Sequence, residues 1–105
     1  MKMEFIFDEN KLKQFGYKEE QCLNAIRKHF NGYQSNTVRE TNKGIFEGTE
    51  KDWNAFASAS RFPNTSWFLK VIKEWNWYID EEDGLGLQKE DCLKSYYKMN
   101  SLSGM

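Results

Sequence analysis

The chain opens on a short apolar, aromatic run, Met3 to Phe7, stopped by Asp8-Glu9-Asn10. Such a run predicts a first β-strand, with a buried extended segment as the alternative. Asp8 is equally placed to cap a short helix carrying Leu12 and Phe15, which Gly16 would end. From Lys18 to Phe30 the period changes, because Cys22, Ile26 and Phe30 stand at i, i+4 and i+8 with Leu23 and Ala25 beside them. This spacing predicts an amphipathic helix, stopped by Asn31-Gly32. Thr37-Val38-Arg39-Glu40-Thr41 and Ile45-Phe46-Glu47 then flank Asn42-Lys43-Gly44, a hairpin pattern with glycine where a positive φ is needed.

Thr49-Glu50-Lys51-Asp52 reads as a helix start, with a hydroxyl free to accept from a backbone N–H and two acids that complement the helix dipole. Trp53, Phe56 and Ala57 form its apolar face. Pro63 interrupts the pattern by pushing Phe62 out of the helical region, and Asn64 or Thr65 can cap the next helix. From Trp67 to Ile79, winding at about 100° per residue gathers Trp67, Phe68, Val71, Ile72, Trp75, Tyr78 and Ile79 within roughly 140°. A third, core-anchoring helix is therefore expected there. Asp80-Glu81-Glu82-Asp83-Gly84-Leu85-Gly86 reads as an acidic turn, and Leu87 to Met99 carries Cys92, Leu93, Tyr96 and Tyr97 at helical spacing. Residues 1–2 and 101–105 are expected to fray.

Together these patterns predict a single α+β domain over residues 1–105, with three to four helices packed on a short antiparallel hairpin or sheet. Only 39% of residues are apolar, yet four Trp, five Tyr and eight Phe let few positions bury much area. The charge nearly cancels, 15 basic residues against 16 acidic, which leaves no net positive field to hold nucleic acid by counterion release. Direct nucleic-acid binding is thus disfavoured, although a local basic patch is not.

The N-terminal apolar stretch is too short for a signal peptide, and no run approaches the roughly 20 apolar residues that span a bilayer. Cys22 and Cys92 lack the spacing of a zinc site or of a disulfide scaffold, so the chain reads as cytoplasmic, without a membrane partner. Candidate chemistry is sparse. Cys22 and the only histidine, His29, lie along one helix face but about 10 Å of rise apart, too far for direct proton transfer. No G-x-S-x-G elbow, Walker loop or G-x-G-x-x-G is present. The acidic turn fails as a calcium loop: a glycine at Gly84 would demand Ile79 as first ligand, and one at Gly86 would demand Leu85 and Cys92 where oxygens belong. No catalytic residue, metal or cofactor is expected, and the protein is read as non-enzymatic.

Trp77 falls outside the apolar arc of the expected third helix and would project with Lys70 and Lys73. A partner-facing role suits it, because Trp is enriched at binding hot spots; the alternatives are a Trp lying flat on a lysine stem or packed on the hairpin or last helix. Asp80, Glu81, Glu82 and Asp83 come within two turns of it, which sets an apolar anchor beside carboxylates. That combination fits a partner protein with a basic surface, whereas a charge run of this kind otherwise merely solubilises a turn.

Phe7-Asp8-Glu9 with Leu12, Phe15-Gly16-Tyr17 with Glu19-Glu20, Arg39-Glu40-Thr41 with Gly44 and Phe46, and Asp91-Cys92 resemble a loose group of small proteins carried on conjugative and phage-derived elements of low-GC Gram-positive bacteria. The resemblance transfers no catalytic residue, and the aromatic-rich segment from Trp53 to Tyr78 departs from the group. It implies a protein-binding modulator: an anti-CRISPR that occludes the basic groove of a defence nuclease, or a toxin-neutralising immunity protein. A small DNA-binding regulator is the alternative from another class.

Overall fold

A computed structural model describes residues 1–32, 37–80 and 87–103. Strand β1 (Lys2–Phe7) turns Met3, Phe5 and Phe7 into the core and Lys2, Glu4 and Ile6 to the other face, the alternation that its sequence predicts. It begins one residue earlier than expected, and Met1 is tied in through its carbonyl, which accepts from the Gly48 N–H at 2.9 Å. Asp8 then starts α1 (Glu9–Phe15) by accepting from the N–H groups of Asn10 and Lys11, and Gly16 ends the helix at φ +75°. Helix α2 (Glu19–Asn31) buries Cys22, Leu23, Ile26 and Phe30, the stripe legible in the sequence.

The expected hairpin is present as β2 (Arg39–Asn42) and β3 (Ile45–Glu47). Gly44 in its turn sits at φ +79° with its carbonyl accepting from the Phe5 N–H at 2.8 Å, and an added Cβ would meet the Phe5 oxygen at 2.5 Å. Both conditions require glycine. Thr49 caps a 3₁₀ turn at Glu50–Asp52 that runs into α3 (Trp53–Ser58), and a second 3₁₀ stretch, Ala59–Asn64, holds Pro63.

Here the structure corrects the sequence reading. The expected third helix is only one turn, α4 (Phe68–Val71), after which Ile72–Asp80 form β4. β1 is buried on its Met3-Phe5-Phe7 face and flanked by β3 on one edge; its other edge needs a hydrogen-bonding partner, and β4 supplies it from Lys2↔Tyr78 to Phe7↔Ile72. Ile72, Trp75, Trp77, Tyr78 and Ile79 are β-branched or aromatic and fit the pleated surface well. The segment expected as a last helix is likewise divided: Leu87–Asp91 form β5, antiparallel to β4, and α5 (Cys92–Ser103) begins only after Asp91, whose Oδ1 accepts from the Lys94 N–H at 3.0 Å. The helix continues through residues 101–103, where fraying was expected.

The described residues thus make an antiparallel sheet in the order β2-β3-β1-β4-β5, an α+β domain with its apolar helix faces gathered on one side. Phe5 is the hub: its ring meets Phe46, Phe62 and Phe68 edge-on and stacks on Trp75, with centroids 5.7 to 6.2 Å apart. The opposite face carries Glu4, whose Oε1 accepts from buried Asn76 at 3.0 Å, and Lys2 over the Tyr78 ring.

A polar clamp ties the hairpin to α2. Arg27 donates to both oxygens of Glu40, Nε to Oε1 at 2.6 Å and Nη2 to Oε2 at 3.1 Å, and Oε2 also accepts from the Gly44 N–H. The Arg27 hydrogen bond, reinforced by that N–H, holds the Glu40 carboxyl below its usual range. Because the folded pKa is depressed, the stabilisation is complete above the unfolded value, about 4.3, and disappears as pH falls through the folded one. Glu40→Gln is therefore expected to cost about 1 kcal/mol at pH 7. Melting curves taken between pH 7 and pH 3 should show the gap between variant and wild type closing on acidification.

Candidate binding groove

These elements build a cavity of about 520 Å³ between α3 and α5 over the sheet. Its floor is Met3, Trp75 and Trp77, contributed by the core-facing side of β1 and β4. Trp53 and Phe56 of α3 form one wall, and Cys92, Tyr96 and Met99 of α5 form the other, at i, i+4 and i+7 along one helix face. Trp53 remains 48% exposed although its ring lies 5.0 Å from that of Trp77, and Trp77 in turn stacks on Phe56 at 6.4 Å. Met99 is exposed as well. A partly exposed apolar groove with aromatic walls marks interaction sites more often than it marks solvent-facing protein.

Polar groups are few around the groove. Glu90, opposite Trp77 in the β4–β5 register, Ser60 and Ser95 are the polar part of the lining, which holds no basic side chain among the described residues. The Ser95 hydroxyl donates to Glu90 Oε1 over a long 3.4 Å. Burial above all, then the Glu90 and Asp91 carboxylates, push the Cys92 thiol up to about 12, which favours the protonated form at neutral pH. The indole N–H groups of Trp75 and Trp77 are buried and have no acceptor among the described residues.

Only part of the site expected from the sequence is assembled here. Trp77 belongs to it, but as a half-buried floor residue: in a strand, residues two apart share a face, so Trp77 follows Trp75 inward instead of projecting away from it. Lys70 is elsewhere, on α4 with its Nζ over the Phe15 ring at 5.5 Å. Lys73 lies exposed at the start of β4, about 13 Å of strand from Trp77. The expected alignment of Trp77 with both lysines on one helix face is therefore incorrect. Asp80 ends β4 opposite Leu87, and Glu81, Glu82 and Asp83 fall outside the described residues. Nothing in the local pattern singles out Trp53, Tyr96 or Glu90 as site residues; the two-residue spacing of Trp75 and Trp77 is the signal that points to a shared strand face.

A smaller cleft of about 200 Å³ brings His29 beside Ser58 and Arg61. His29 Nε2 lies 3.5 Å from Ser58 Oγ but 3.0 Å from the Ala55 carbonyl, which can only accept, so Nε2 carries the proton. The Ser58 hydroxyl gives its own proton to the Asn54 carbonyl at 2.6 Å. In this geometry both groups are turned toward backbone carbonyls. Cys22 is buried on α2, where burial and then the Glu19 carboxylate raise its thiol, and both cysteines are free thiols. Among the described residues no group of three or more His, Cys, Asp or Glu is arranged to hold a metal ion, and no helix is long and apolar enough to cross a membrane. Compared with protein-family models, with curated proteins and with solved structures, the chain matches none.

Proposed function

We propose that this protein is a non-enzymatic binding protein that inhibits a partner by covering a basic, nucleic-acid-binding surface. An anti-CRISPR protein encoded on a mobile element would act on a defence nuclease in this manner. The observation that carries the reading is the aromatic groove, in which exposed Trp53 stands against Trp77 with the Glu90 carboxylate in the lining and no cation among the described residues. Tryptophan in a desolvated setting supplies binding energy out of proportion to its number, and a rim carboxylate supplies rate and selectivity toward basic partners. The acidic sequence Asp80 to Asp83 adds charge of the same sign to the chain just after Trp77. Against an enzyme weigh the two protonated thiols and the His29 ring, whose Nε2 faces a carbonyl.

The test is affinity capture from the native host with wild type and Trp53→Ala as paired baits. A nucleic-acid-handling protein held by the wild type and depleted at least tenfold with Trp53→Ala is the expected result. Capture of a neighbouring toxin would replace the inhibitor reading with immunity. Tight, steeply salt-dependent binding of the isolated protein to duplex DNA would overturn both.

A further inference from the structure

Resting on the protein-binding reading above, we infer that the groove is shaped for an arginine side chain of the partner, with its stem among Trp53, Trp77 and Tyr96 and its guanidinium at Glu90. The lining combines aromatic rings with a single carboxylate and, among the described residues, includes no cation of the protein's own. Aromatic rings attract a cation through their quadrupole, and a guanidinium, planar and weakly hydrated, can stack on a ring while it forks onto a carboxylate. Glu90 is available for that fork: it is exposed, makes no ion pair among the described residues, and receives only the long bond from Ser95. The next carboxylate along, Asp91, lies beside it in β5, and both carboxylates act on the Cys92 thiol in the groove wall.

Other occupants fit less well. A neutral apolar group filling the groove would desolvate Glu90 without giving it a partner. A nucleic acid would bring phosphate toward the Glu90 carboxylate. The cavity, at about 520 Å³, exceeds a single cationic head and leaves room for the apolar neighbours of an arginine within a peptide segment. A protein segment with one arginine between apolar residues matches both the volume and the charge.

The probe is a set of acetylated, amidated pentapeptides of sequence Gly-Leu-X-Leu-Gly, with X arginine, lysine or glutamine, titrated while tryptophan fluorescence is recorded. The arginine peptide is expected to bind at least tenfold more tightly than the glutamine peptide. Glu90→Gln, a substitution at an exposed position expected to leave the circular dichroism spectrum unchanged, should erase that preference, and Glu90→Asp should restore part of it. Trp53→Ala should weaken every peptide. Equal binding of the lysine peptide, or of tetramethylammonium alone, would overturn the guanidinium assignment. Equal binding of arginine and glutamine peptides, silence of Glu90→Gln, or no binding at millimolar peptide would overturn cation recognition altogether. In those cases the dependence of partner capture on Trp53 still decides the protein-binding reading, so the two failures are separable.

Discussion

Asp52→Ala is expected to lower the unfolding free energy by about 3 kcal/mol, among the largest effects of any polar substitution in this domain. Asp52 is 1% exposed, and its carboxylate is the acceptor around which the entry to α3 is organised. The Thr37 hydroxyl lies 2.6 Å from both oxygens, and the Thr49 N–H donates to Oδ2 at 2.9 Å. Thr49 closes the reciprocal half of the capping box. Alanine would leave the Thr49 N–H and the Thr37 hydroxyl without this acceptor, and the loss of a buried acceptor costs more than the net value of the bonds it made. Gly48 is packed so closely that an added Cβ would stand 2.6 Å from Asp52 Oδ2 and 2.8 Å from Phe56 Cε2. Because Phe56 is also a wall of the groove, the cap and the site share one support. Urea denaturation checks the expectation: the midpoint should fall with the slope unchanged, and a loss below about 1 kcal/mol would mean that the cap does not organise α3.

The features legible in the sequence are those carried by one or two residues acting locally. Asp8 and Gly16 bracket α1, Thr49 starts the next helical segment, and Gly44 makes the β2–β3 turn. Each satisfies a backbone requirement within a few residues of itself. The segment from Trp67 to Ile79 is different, because its apolar residues satisfy a helical arc and its β-branched and aromatic content satisfies a strand. What decides between them is the edge of β1, which is hydrogen-bonded from the far end of the chain, as the Glu4–Asn76 pair shows. Local periodicity does not contain that contact. Leu87–Asp91 is hidden for a similar reason, since five mostly polar residues become a strand only by pairing with β4. The groove inherits both difficulties: Trp53, Trp77, Glu90 and Tyr96 come from four separate elements, two of which emerge only from long-range pairing.

Trp77→Ala is expected to cost about 3 kcal/mol, and Trp53→Ala less than about 1 kcal/mol, although the two rings touch. Trp77 is rooted in β4 between β1 and β5, pairs with Met3 and Glu90, and stacks on Phe56, so its removal opens a void under the groove floor. Trp53 stands at the first residue of α3 and is already half in water, so its removal uncovers little. Trp77→Phe should recover most of the loss, since it keeps a ring against Phe56 and deletes an indole N–H that has no acceptor among the described residues. The ordering is diagnostic because a helix over residues 67–79 predicts the reverse, with Trp77 on the outer face and cheap to remove. Denaturation midpoints for the three variants decide the matter. If Trp77→Ala unfolds at the wild-type midpoint, Trp77 is not packed on Phe56, the floor of the groove is missing, and an arginine would find no aromatic bed beside Glu90.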